Sequence, residues 1–80
     1  MNVDHEVSLL VDYIKKLGDG KGDGLYEVTF KTLFDDDEVA NTLEALVGTL
    51  RAAKKRKIIN YEGELLLQGV HDKTIISLKE

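Results

Sequence analysis

The chain contains no cysteine, no proline and no tryptophan, and it has no long apolar run. Without cysteine it forms neither a disulfide framework nor a thiolate metal site, which fits a reducing compartment. A membrane-spanning helix needs roughly 18 consecutive apolar residues, and no stretch approaches that length. The opening residues, MNVDHEV, have neither the basic segment nor the apolar segment of a signal peptide. These absences lead us to expect a cytoplasmic protein with no membrane partner.

The length of 80 residues suits a single domain, and we treat 1–80 as one unit. A chain of this size buries only about 60% of the surface that its unfolded form exposes, so its core is small. The apolar and charged contents are those of a folded chain rather than a disordered one. Because such a core leaves little room for a deep substrate cleft, we expect a small, monomeric interaction domain.

Charge is distributed unevenly along the chain, although the net charge at pH 7 is −4. Four acids stand together at residues 35–38. Five of the eleven basic residues fall close together, at Arg51, Lys54, Lys55, Arg56 and Lys57. Bases at the end of a helix stabilise its macrodipole, but that purpose needs only one or two of them. The basic run therefore predicts a partner-binding surface for an acidic protein.

An apolar stripe predicts a first helix of about fifteen residues that begins near Val3 and ends at Gly18. Asp4 is placed to accept a hydrogen bond from the first turn, and glycine commonly ends a helix. Leu9 and Tyr13 lie off this stripe. We interpret them as a second, partly buried flank covered by the C-terminal strands; the alternative is an exposed apolar contact for a partner.

A long helix is predicted after the acids at residues 35–37, which cap its start. Its apolar stripe extends from Val39 to Ala53, and the basic run forms its end. Gly48 lies within this stripe and costs about 1 kcal/mol relative to alanine. We therefore expect something to pack closely against Gly48.

The remaining residues predict a flexible loop at 18–24, a short helix at 31–34 and several short strands. The strands are expected at residues 25–30, 58–61, 65–67 and 74–78, the last two forming a hairpin. The order helix, strand, short helix, long helix, strand, strand is that of a winged-helix domain. The expected fold is therefore α+β and winged-helix-like, with three helices and a small antiparallel sheet.

No residue pattern indicates catalysis, a cofactor or a metal. Asp19 and Asp23 occupy ligand positions of a calcium-binding EF-hand loop, but Phe30 stands where the bidentate glutamate is required. The glycines of this loop match neither nucleotide-binding motif in register. Two histidines are too few for a zinc site, and no serine or threonine lies in a nucleophile elbow. We expect a protein that is not an enzyme.

Three ordered stretches, EALVGTL, AAKKRKI and YEGELLLQGVHD, together with the opening MNVDHEV, resemble the costars family. The resemblance covers both ends of the chain and most of its length. Small members of that family consist of little else, and the same domain closes a larger muscle actin-binding protein that activates Rho signalling. The resemblance implies a winged-helix fold, which agrees with the order of the predicted elements, and it carries over no catalytic residue.

The resemblance also implies a non-enzymatic regulator of the actin cytoskeleton. Such a protein would bind filamentous actin or an actin-regulatory protein and modulate actin dynamics and cell motility. The alternatives are a protein–protein adaptor without direct actin contact and a winged-helix nucleic-acid binder. The acids at residues 35–38 argue against nucleic acid, because they would repel its phosphates. The consecutive leucines 65–67 must expose at least one side chain, and an exposed leucine beside a basic surface would suit a protein interface.

Overall fold

Four helices and a four-stranded antiparallel sheet make up the computed structural model, which describes residues 2–80. The helices are α1 (Val3–Leu17), α2 (Phe30–Asp35), α3 (Asp37–Thr42) and α4 (Leu46–Lys55). The strands are β1 (Asp19–Gly22), β2 (Leu25–Thr29), β3 (Ile59–Asn60) and β4 (Ile75–Lys79). Across the sheet the strands lie in the order β1-β2-β4-β3. No helix within residues 2–80 has the length and apolar character needed to cross a membrane.

The first helix is confirmed, but its N-terminal cap is not the predicted one. The Asn2 side chain accepts a hydrogen bond from the His5 backbone N–H at 3.1 Å, whereas Asp4 forms an ion pair with Arg56. Gly18 ends the helix as expected. A Cβ atom on Gly18 would lie 2.6 Å from two backbone oxygens, so only glycine fits where α1 turns back toward β2.

The flank formed by Leu9 and Tyr13 is buried or partly buried, as we interpreted it. We expected the C-terminal strands to cover it. The Tyr13 hydroxyl donates to Thr42 Oγ1 at 2.9 Å, so α3 contributes to that cover. The hydrogen bond lets tyrosine lie against the core without leaving its hydroxyl unpaired.

The glycine-rich segment predicted as a flexible loop instead forms β1 and a tight turn to β2. Asp19 pairs with Glu27 and Gly20 with Tyr26, with a bulge before Gly22. Asp23 and Gly24 have positive φ angles of 53° and 78°. Two consecutive positive φ angles are characteristic of the two-residue hairpin turn that matches the twist of β-strands. The loop prediction was wrong because β1 is exposed along its whole length and shows no apolar alternation.

The long helix predicted from the apolar stripe is two helices, α3 and α4, separated by an extended segment. Asp36 caps α3 by accepting from Val39 N–H at 3.0 Å, as the acidic run indicated. Leu43 and Ala45 are extended. The Glu6 carboxylate of α1, only 5% exposed, accepts from Glu44 N–H at 2.8 Å and satisfies a backbone group at the break. The apolar stripe gave no sign of the break between α3 and α4, because apolar residues on both sides of the break are buried.

The predicted hairpin between residues 65–67 and 74–78 is also wrong. β4 pairs with β2 on one side, with Val28 opposite Ile76, and with β3 on the other, with Ile59 opposite Leu78. Both edges of β4 are therefore occupied, and residues 65–67 lie in a loop. The α+β class and the antiparallel sheet are confirmed. The helix count is four rather than three, and these elements do not establish the winged-helix description.

The core lies between the helices and the inner face of β2 and β4. Alternation along β4 buries Ile76 and Leu78 and exposes Ile75 and Lys79. The largest fully buried side chains are Leu10, Ile14, Phe30, Leu33, Val39, Thr49, Leu50, Ile76 and Leu78. α4 is anchored to this core through Leu50 and Ala53, which leaves its opposite side facing solvent.

Candidate functional site

The five predicted basic residues lie together on the C-terminal half of α4 and the turn that follows it. We call Arg51, Lys54, Lys55, Arg56 and Lys57 the basic surface. All are exposed except Lys54, which is half-buried. Lys57 has a positive φ of 63°, and it directs the chain from α4 into β3. The helix packs its apolar side on the core, and the charged residues therefore share its solvent-facing side.

Two members of the basic surface also hold the fold together. Lys54 Nζ donates to the Gly63 carbonyl at 2.5 Å and lies 4.3 Å from the centre of the Tyr61 ring. Arg56 Nη1 lies 2.6 Å from Asp4 Oδ1 and links α4 to α1. These contacts tie neighbouring segments to α4, so substitutions at Lys54 or Arg56 would disturb structure as well as charge.

Arg51 and Lys55 are the members best placed for a partner. They lie four residues apart, so their side chains share one face of α4. No ion pair within residues 2–80 engages either of them. A like-charged pair at this spacing destabilises an isolated helix by about 0.2–0.5 kcal/mol. Lys55, in the last turn of α4, is favoured by the helix macrodipole, whereas Arg51 lies before that turn.

A shallow groove of about 520 Å³, which we call the basic groove, borders these two residues. Lys54, Tyr61 and Glu64 line it as well, so one acid stands among three bases. Burial raises the pKa of the Tyr61 hydroxyl, with Arg51 opposing the shift. The phenol is therefore neutral at physiological pH and leaves the positive charge of this groove intact.

A second groove, of about 480 Å³, lies at the other end of α4 and is mostly apolar. We call it the apolar groove. Its walls come from α2, from the first turn of α4 and from the loop after β3. The lining side chains are Phe30, Phe34, Leu46, Val47, Leu66 and Leu67, with Gln68 at the rim.

The three consecutive leucines at residues 65–67, the leucine run, expose at least one side chain, as the sequence predicted. One of them is buried and two are exposed. Leu66 is buried, whereas Leu65 is 62% and Leu67 50% exposed. Leu67 is held in place because its N–H donates to His71 Nδ1 at 2.9 Å and its carbonyl accepts from His71 N–H at 2.8 Å. Val47 on α4, 37% exposed, lines the same groove. The groove thus presents two accessible apolar side chains on a hydrogen-bonded frame.

Gly48 lies where the basic groove and the apolar groove meet, and it lines both. Within residues 2–80 nothing packs closely against it. A Cβ atom built there would meet only the Ala45 side chain, at 3.6 Å, which is ordinary van der Waals contact. The fold itself therefore does not require glycine at this position.

The acidic residues 35–38 serve the local structure. Besides the cap from Asp36, Asp35 pairs with Lys31 at 2.8 Å and Glu38 with Lys16 at 3.2 Å. In the part of the chain that the structure describes, no group of three or more histidine, aspartate or glutamate side chains is arranged to hold a metal ion.

Comparison with known proteins places the chain in a family. The Costars family model matches residues 2–79. The chain belongs to the costars family. The costars family protein ABRACL of Xenopus laevis is 65% identical over 78 residues, covering 98% of this chain and 96% of the relative. Human ABRACL is 63% identical over 78 residues with the same coverage, and a costars protein of Arabidopsis thaliana is 63% identical over 79 residues, covering 99% and 83%.

A solved structure supports the costars fold found here. The solution structure of the human HSPC280 protein has a TM-score of 0.86 and 61% sequence identity, covering 100% of this chain and 94% of that one. The name ABRACL stands for actin-binding Rho activating C-terminal-like, which suggests an actin-related role for the relatives that carry it.

The basic run was readable from the sequence, but the apolar groove was not. Two of its three walls, α2 and the loop after β3, lie more than thirty positions apart in the chain, as the pair Phe34 and Leu67 illustrates. The only local signal was the leucine run, which indicated exposed apolar surface without showing what would lie beside it. Gly48 carried a second signal, since glycine weakens a helix and predicted close packing there, but the sequence did not show what would pack against it.

Proposed function

We propose that this costars protein is a non-enzymatic, cytoplasmic regulator of the actin cytoskeleton. It binds actin filaments or an actin-regulating protein and thereby modulates actin dynamics and cell motility. Family membership and the actin-related name of the ABRACL relatives support the proposal. The structural observation that carries it is the exposed pair Arg51 and Lys55 on a chain whose net charge is −4.

The physical basis of the proposal is electrostatic. Actin filaments are acidic polyelectrolytes, and a concentrated basic surface raises the rate at which a small domain meets them. The first contacts would come from Arg51, Lys55 and Lys57. The internal contacts of Lys54 and Arg56 stabilise the local structure of the surface. Because the rest of the chain is acidic, binding by one domain should be weak and should fall as salt screens the charges.

Co-sedimentation with filamentous actin tests this proposal. The informative variant is Arg51→Glu/Lys55→Glu, which leaves the internal contacts of the basic surface intact. Its matched control, Lys21→Glu/Lys73→Glu, changes the net charge equally at exposed sites that line neither groove of α4. At about 0.1 M salt, where the Debye length is about 10 Å, we expect wild type and control to pellet saturably and the first variant to remain in the supernatant. Equal pelleting of all three would remove the basic surface from the mechanism.

An adaptor function is the second candidate, and the acidic net charge favours it. In that case the protein acts on actin through an actin-severing or Rho-pathway protein. Wild-type protein that stays in the supernatant over the whole range of filament concentrations would support this candidate. Affinity capture with wild type, compared with Arg51→Glu/Lys55→Glu, would then show whether the same surface selects the partner.

A further inference from the structure

The basic surface and the apolar groove adjoin on one side of α4, and Gly48 is the residue they share. We propose that together they form one docking surface for an acidic protein segment that also carries apolar side chains, and that the segment crosses α4 over Gly48. The inference rests on the proposed function, because it uses the same basic residues, and it specifies the chemistry of the partner.

Charge complementarity selects the acidic part of the partner. Arg51 and Lys55 share one face of α4, and no ion pair within residues 2–80 neutralises them. Glu64 at the groove rim is their one acidic neighbour among the lining residues. A segment with several aspartate or glutamate residues would complete this surface and be guided toward it over a Debye length.

The apolar groove selects the second property of the partner. Its floor contains side chains of the core, including Phe30 and Leu66, and its rim exposes Val47 and Leu67. A leucine or phenylalanine from the partner would remove both rim side chains from water. A single exposed apolar residue is common on protein surfaces, but two that border a concave apolar site are typical of a binding groove.

Gly48 connects the two halves. Glycine weakens a helix relative to alanine, and here no neighbour requires it, since a Cβ would have room. Its effect is instead on the outer surface, where α4 carries no side chain at the one position that lines both grooves. A backbone passing from one groove to the other can approach the helix closely at this point.

Other occupants match only half of the surface. A nucleic-acid strand would use the basic residues but has no aliphatic side chain for the apolar groove. A lipid bilayer presents a flat surface, whereas the two apolar rim residues border a concavity. An acidic peptide with apolar side chains is the occupant that fits both halves.

NMR titration of the isotopically labelled protein with three synthetic peptides tests the inference. The first peptide is acidic and amphipathic, built of aspartate, glutamate, leucine and phenylalanine. In the second, serine replaces the apolar residues; in the third, lysine replaces the acidic ones. We expect the first to shift the amide signals of Val47, Arg51 and Leu67, and to bind at least about tenfold more tightly than the other two.

The decisive variant is Gly48→Leu, which favours the helix and places a side chain between the two grooves. We expect it to keep the wild-type amide spectrum outside α4 and its immediate neighbours but to bind the first peptide at least about tenfold more weakly. Ser8→Leu, which adds a leucine to an exposed position of α1, is the matched control and should bind as wild type does.

Four results would overturn the inference. They are wild-type affinity in Gly48→Leu, equal binding of the first peptide and either of the other two, no binding of the first peptide, and tighter binding of a single-stranded oligonucleotide than of that peptide. Filament pelleting that depends on Arg51 and Lys55, combined with any of these results, would leave the proposed function standing without this docking mode. Docking of the acidic peptide without filament pelleting would support the inference while the direct actin contact fails.

Discussion

At the scale of single residues, the buried hydroxyl of Thr49 is the clearest unfavourable feature of the fold. The residue is fully buried in α4, and its Oγ1 finds no hydrogen-bond partner among residues 2–80. Removing a hydroxyl from an apolar site without changing the shape of the side chain removes a desolvation cost. The threonine therefore weakens the helix that carries the candidate site.

We predict that Thr49→Val raises the free energy of unfolding by about 1 kcal/mol. Urea denaturation followed by circular dichroism measures this change. Thr49→Ser serves as the control, because it keeps the hydroxyl and loses the methyl group, and it should lower stability. A valine variant less stable than wild type would mean that the hydroxyl is satisfied in solution.

The raised pKa of Tyr61 predicts how the free energy of unfolding changes at alkaline pH. Burial raises its pKa above the ordinary value of 10.0. A tyrosine whose pKa is higher in the folded state contributes stability that is fully present below the unfolded pKa and is lost as pH rises through the folded pKa. The loss therefore begins near pH 10 and continues above it.

The matched experiment compares wild type with Tyr61→Phe by urea denaturation from about pH 8 to 11. We expect the wild type to lose more stability than the variant over this range, since phenylalanine has no proton to release. Lys15 and Lys31, whose pKa values are raised by hydrogen bonds to Glu80 and Asp35, titrate in both proteins and cancel in the comparison. Parallel curves for the two proteins would show that Tyr61 is not desolvated.

At the scale of the elements, the break between α3 and α4 determines where the candidate surface points. The Glu6 carboxylate of α1 accepts from Glu44 N–H at 2.8 Å and replaces the hydrogen bond that a continuous helix would make. Hydrogen bonds to charged groups contribute about 1.5–3 kcal/mol, and this one is largely shielded from water. It therefore holds the start of α4 in a fixed position relative to α1.

We predict that Glu6→Ala lowers the free energy of unfolding by about 2 kcal/mol and that Glu6→Gln, which keeps an acceptor oxygen, lowers it less. Urea denaturation measures both changes, and amide exchange at Glu44 reports the local effect. If Glu6→Ala remained within about 0.5 kcal/mol of wild type, the break would be maintained by packing alone.

The elements that sequence predicted correctly are those with a local signal. α1, α2 and β4 show periodic burial that matches their geometry, and β2 buries Val28. The α3–α4 break depends on a side chain 38 positions away, which no local pattern reveals. β1 has no buried face, but the Asp23-Gly24 turn signal was present in the sequence and would have indicated a hairpin.

At the scale of the whole molecule, the protein combines an acidic net charge with a single concentrated basic surface. The position of that surface was predictable because its residues fall close together, at positions 51–57, at the end of a helix. The sequence could not predict which of these basic residues make internal contacts and which are accessible to a partner. Lys54 and Arg56 meet their partners, Gly63 and Asp4, only in the folded chain. The same holds for the apolar groove, which three separate segments assemble.

The central claim is that Arg51 and Lys55 bring this costars protein to actin filaments. Co-sedimentation of wild type, Arg51→Glu/Lys55→Glu and Lys21→Glu/Lys73→Glu with filamentous actin, at several salt concentrations around 0.1 M, tests it most directly. The account predicts that wild type and the Lys21/Lys73 variant pellet together and lose binding as salt rises, while the Arg51/Lys55 variant stays in the supernatant. Salt-independent pelleting that is the same for all three proteins would contradict it.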